Sequence, residues 1–120
     1  MGLYYHPNKK GAVEPLLSSI WENDFHGLLY RYAVEKRRET KYDDPMPRMP
    51  YSADEDKAKE IAEQILRSHN DDRDGLVEYL KLNGMLQHLP NYPEDIADFV
   101  TSMVDELLEF LGGCGGYEAS

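Results

Sequence analysis

Apolar residues in this chain recur at steps of three and four over long stretches, the spacing that lines one face of an α-helix. Val13, Leu16, Leu17, Ile20, Trp21, Phe25, Leu28, Leu29, Tyr32 and Ala33 keep a single phase. They predict a helix over about 13–38, bent near Asp24, where Asn23, Asp24 and Gly27 are weak helix formers. Pro15 is tolerated in its first turn. A second helix is expected over about 53–68, with Ala58, Ile61, Ala62, Ile65 and Leu66 on one face. Ser52 and Glu55 have the spacing of a capping box, in which each side chain accepts the other residue's backbone N–H. Leu76, Val77 and Leu80 begin a third helix that ends near Asn83-Gly84, and Met85, Leu86 and Leu89 predict one further turn before Pro90. The last helix starts at Pro93 and carries Ile96, Phe99, Val100, Met103, Val104, Leu107, Leu108 and Leu111 as one stripe, stopped by Gly112 and Gly113.

Between the first two helices, Pro45, Pro47 and Pro50 take three of six positions. They remove backbone donors and push their predecessors out of helical geometry, so residues of about 40–51 are expected to form an extended crossover. Beyond the first few residues, no run of four or more alternates apolar and polar positions, and no internal repeat is present. The expected fold is all-α: a small bundle of four to five helices forming one domain over 1–111, followed by a flexible Gly-rich tail over 112–120.

Composition agrees with a single folded core. The chain has 120 residues, 41% hydrophobic and 30% charged, enough apolar surface to exclude wholesale disorder. Its one cysteine, Cys114, cannot form an internal disulfide, which points to a reducing compartment. The N-terminus lacks the apolar run of a signal peptide and no window approaches a membrane span, so the expectation is a cytoplasmic, unanchored protein.

The net charge of −10 is unevenly distributed. Residues 1–50 hold eight Lys or Arg against seven Asp or Glu, whereas residues 51–120 hold five against sixteen. From Met85 to Ser120 there is no Lys or Arg. Such a field repels nucleic acid and anionic membranes and attracts basic protein surfaces. The basic run Lys36-Arg37-Arg38 with Lys41, close to Tyr30, Arg31, Tyr32 and Tyr42, resembles a single-strand grip. Against so acidic a remainder, its cations are better read as complementing a helix C-terminus and closing internal ion pairs.

Candidate chemistry is sparse. Asn70-Asp71-Asp72-Arg73-Asp74-Gly75, continuing to Lys81, resembles an EF-hand loop at positions one, three, five and six. Position twelve is Lys81, where calcium needs a bidentate Glu, so the carboxylates are read instead as complementing a helix N-terminus. Glu22 and His26 have a metal-compatible spacing, but a lone pair of this kind is common by chance. Cys114 lies in a glycine run with no fixed electropositive surroundings, and no catalytic, cofactor or metal residue is assigned.

The function expected is that of a non-enzymatic, acidic helical protein binding a basic protein surface. The contact carboxylates would be Asp95, Asp98, Asp105, Glu106 and Glu109 on the last helix, with Asp71, Asp72 and Asp74. Sharper versions are a nucleic-acid mimic that inhibits a nucleic-acid-binding protein, a toxin-neutralising protein or an adaptor. The alternatives are a ligand binder or enzyme with a pocket between helices, and a structural subunit. No direct contact with nucleic acid or membrane is expected, and the protein is read as a monomer or homodimer.

Overall fold

The computed structural model describes residues 3–11, 13–18, 20–39, 48–90 and 92–120. Strand β1 (Leu3–Pro7) is followed by β2 (Leu16–Ser18), helix α1 (Ile20–Ala33), β3 (Ser52–Asp54), α2 (Glu55–Asp71), α3 (Arg73–Leu82), α4 (Pro93–Gly113) and β4 (Gly116–Ala119). The all-α expectation is therefore wrong. Among the described residues, four helices pack with an antiparallel sheet built on β1, β4 and β3, to which the three-residue β2 adds an edge in the order β2-β1-β4-β3.

The sheet arises because the opening residues alternate. Tyr5 is buried while Tyr4 and His6 are exposed, and the latter two rings stack on the outer face. The strand's N–H and C=O groups then need partners on both sides. On one side Leu3, Tyr4 and Tyr5 face Ser18, Leu17 and Leu16. Residues 16–18, expected inside a long first helix, are thus extended, and α1 starts only at Ile20. On the other side Tyr5, His6 and Pro7 face Ala119, Glu118 and Tyr117.

The Gly-rich end of the chain is accordingly a central strand and not a flexible tail. β4 also pairs with β3, Ser52, Ala53 and Asp54 facing Glu118, Tyr117 and Gly116. Tyr4 and Ser120 exchange backbone hydrogen bonds of 2.9 Å in both directions. Two glycines make the strand reachable. Gly115 and Gly116 have φ of +66° and +93°, and a Cβ on Gly116 would stand 2.7 Å from the carbonyl oxygen of Ala53. Tyr117 is fully buried, edge-on to Tyr5 at 5.3 Å between ring centroids, and its hydroxyl donates to the carbonyl of Pro50 at 2.8 Å.

Helix α1 runs unbroken through Asp24 and ends at Ala33, earlier than expected. Lys36 takes the left-handed conformation at φ +60°, and the Arg37 N–H returns to the Arg31 carbonyl at 2.9 Å. Lys36, Arg37 and Arg38 thus follow the helix and do not form its last turn. Of the proline-rich crossover, residues 40–47 lie outside the described residues; Met49 is buried in the core.

The cap of α2 also differs from the expected box. Ser52 belongs to β3, and Asp54 is the N-cap, its carboxylate accepting the Lys57 N–H at 2.7 Å. Glu55 instead pairs with Lys59 at 2.8 Å one turn on. Asp54→Ala should lower stability by about 1 kcal/mol, measurable as a shift of the urea midpoint at constant slope. An unchanged midpoint would remove the cap from the account.

The buried face of α2 is Ala58, Ile61, Ile65, Ser68 and His69, with Leu66 outside it. This face packs against α4, whose Ile96, Val100, Val104, Leu107, Phe110 and Leu111 are buried as the apolar phase predicts. Helix α1 supplies Phe25, Leu28 and Leu29, and α3 supplies Leu76, Tyr79 and Leu80 to the same core. The further turn expected before Pro90 is present but non-helical: Gly84 and Leu86 have φ of +78° and +70°, the Leu89 N–H returns to the Leu86 carbonyl at 3.2 Å, and Met85 and Leu86 are buried.

Candidate functional site

Helix α4 carries six carboxylates and no cation. Glu94, Asp95, Asp98, Asp105, Glu106 and Glu109 are all exposed. At 100° per residue they fall within an arc of about 120°, opposite the buried stripe. With a rise of about 1.5 Å per residue, the row extends for about 22 Å. Elsewhere the surface is laced with ion pairs, such as Glu55–Lys59, Glu60–Lys57, Glu78–Lys81 and Glu35–Arg37. None of the six α4 carboxylates pairs with a described cation. Five of the eight residues expected to form a contact surface therefore stand together on one helix face, and Glu94 extends their row.

At the C-terminal end of this row the surface dips into a groove between α4 and the segment leading into β2. Its walls hold apolar Val13, Leu16 and Phe110 and the carboxylates Glu14, Glu106 and Glu109. Gly113 permits the approach of the two segments, since a Cβ there would come within 2.8 Å of the Val13 methyl group. Sequence reasoning missed this groove because residues 13–16 were read as a helix.

Asp71, Asp72 and Asp74 are placed differently. Helix α2 continues to Asp71 and α3 begins at Arg73, so Asp72 alone separates them. The segment expected to resemble a calcium loop is two abutting helices with no twelve-residue loop. Among the described residues, no group of three or more His, Cys, Asp or Glu could hold a metal. Asp71 and Asp74 are exposed, but the Asp72 carboxylate accepts from the Tyr32 hydroxyl and faces Arg38 Nη1 at 3.4 Å. It makes no cap bond to α3, contrary to the expected N-terminal role. Arg38 lies over the Tyr32 ring, 4.4 Å from its centroid. Gly75 leaves room for this tie, because a Cβ there would sit 2.6 and 2.7 Å from the two Asp72 oxygens.

The strongly shifted groups belong to the core. Burial lowers His26 to about 4, so it is neutral at physiological pH, and burial raises Tyr5 to about 12. Burial first, and then the bond to Asp72, raise Tyr32 to about 12. His69 is buried beneath α4 with Nε2 3.3 Å from Thr101 Oγ1, and its pKa is lowered by burial and by Arg73. Burial also raises the Cys114 thiol, which points to the Leu111 carbonyl. The side chain of Glu22, the suggested partner of His26, lies outside the described residues.

No protein-family model, curated protein or solved structure matches this chain. No helix among the described residues is long and apolar enough to cross a membrane.

Proposed function

We propose that this protein acts without catalysis, by docking the acidic face of α4 onto a basic protein surface. The observation that carries this reading is the row of six exposed carboxylates with no described ion-pair partner, in a molecule that pairs many of its other charges. A solubility field needs no such segregation, whereas a docking face leaves its charges free for the partner. The adjoining groove gives the contact an apolar element: Val13, Leu16 and Phe110 can receive a side chain while Glu14, Glu106 and Glu109 hold flanking cations.

A protein partner is favoured over strict mimicry of nucleic acid. Six charges over about 22 Å amount to roughly one per 4 Å, less than half the density of duplex DNA at one per about 1.7 Å. Contact between two copies through this face is opposed by like charge, so the partner is a different chain.

Replacing Asp98, Asp105 and Glu109 together by Asn, Asn and Gln tests the face without disturbing the buried stripe. Wild type and triple variant are used as baits in extract of the native host at low and moderate salt. The expected result is a basic protein retained by the wild type, released by salt and retained about tenfold less by the variant. Identical retention on both baits at both salts would leave the face with no docking role.

A further inference from the structure

We propose that a second site, in the recess between the C-terminal half of α2 and the turn after α1, binds a phosphate group, free or as a small phosphate monoester. The recess has a volume of about 150 Å³. That is about five waters at roughly 30 Å³ each, room for a five-atom tetrahedral dianion. Lys36, Arg38 and Arg67 converge on it, in a chain that is otherwise dominated by acids.

The state of each lining group favours an anion. Lys36 and Arg67 form no ion pair with a described residue, although the chain has 23 acids to offer against 13 Lys and Arg. Arg38 is held in place from below by the Tyr32 ring and from the side by Asp72. The charge of Asp72 is in turn compensated by Arg38 and the Tyr32 hydroxyl, which leaves exposed Asp71 as the remaining opposing carboxylate. Ser68, which also lines the recess, is 8% exposed and its hydroxyl has no hydrogen-bond partner.

Lys36 adopts φ +60°, where glycine would be unstrained, as the left-handed residue that closes the end of α1, and it lines the recess from there. A phosphate group suits this lining: it accepts a charge-assisted bond from each free cation and bridges α2 to the turn after α1.

The test is calorimetric titration of the full chain with inorganic phosphate and with glycerol phosphate, at constant ionic strength set by chloride. Saturable binding at one site per chain is expected, weakened about tenfold in Arg67→Gln and in Lys36→Gly. Saturation by both probes identifies the phosphate group alone as the ligand; saturation only by the ester identifies a phosphorylated small molecule. Lys36→Gly also checks the backbone argument, since it should raise the melting temperature of the unliganded chain while weakening binding. Absence of saturable heat with either probe, or an affinity unchanged in Arg67→Gln, would overturn the proposal.

Discussion

Truncation after Gly115 should abolish cooperative folding. The residues removed include Tyr117, fully buried against Tyr5 and Phe110, and loss of such an aromatic side chain alone costs about 3–5 kcal/mol. The deletion also strips β1 and β3 of their common neighbour, leaving β3 unpaired and β1 with only the three-residue β2 beside it. A domain of this size has about 5–15 kcal/mol in total. Urea unfolding followed by far-ultraviolet circular dichroism should show no sigmoidal transition in the truncated chain. A transition with the midpoint and slope of the full chain would mean that β4 is dispensable and the sheet incorrect.

Leu107→Ala should lower stability by about 2–5 kcal/mol. Leu107 is fully buried on the stripe that α4 turns toward α2 and the core, and the rigid packing of two helices leaves the cavity largely open after truncation. Leu66→Ala is the internal control. Leu66 sits on α2 and is 44% exposed, so its loss should change stability by less than about 0.5 kcal/mol. Chemical denaturation of both variants separates the phase of the two helices: equal losses would contradict the observed burial of α2.

These two variants mark how far the fold is legible in the amino-acid pattern. The stripe of α4 is long, regular and bounded by Pro93 and glycines, so local periodicity alone locates Ile96, Val100, Val104 and Leu107 in the core. β4 offers only Gly116-Tyr117-Glu118-Ala119, too short for alternation to register, and its glycines read as punctuation. Its pairing with Pro7 and Tyr5 spans nearly the whole chain, and such non-local contacts leave no mark on neighbouring residues. Leu16 shows the converse error. It falls in phase with the helix that follows, yet it is held in an extended strand by β1, because tertiary pairing outweighs a local periodic match.

The candidate site divides in the same way. The exposed row on α4 follows directly from helix phase, since Asp98, Asp105 and Glu109 oppose the apolar stripe at any helical register that buries it. Asp72 does not, because the residues that engage it, Tyr32 and Arg38, lie more than thirty positions away. The basic run at 36–38 was visible as composition, but its place in the recess depends on the left-handed turn at Lys36, a conformation that lysine does not announce.

The central claim is that α4 meets its partner through free carboxylates, and the association rate of the purified pair as a function of ionic strength tests it most directly. Exposed charges are screened over about 8 Å at physiological salt, so electrostatic steering should fade as salt rises while short-range contacts in the groove persist. The account predicts an association rate that falls steeply with added salt for the wild type. It should start lower and respond less to salt when Asp98, Asp105 and Glu109 are neutralised, with dissociation changed far less. An association rate that is the same for both proteins, and flat from low to high salt, would contradict it.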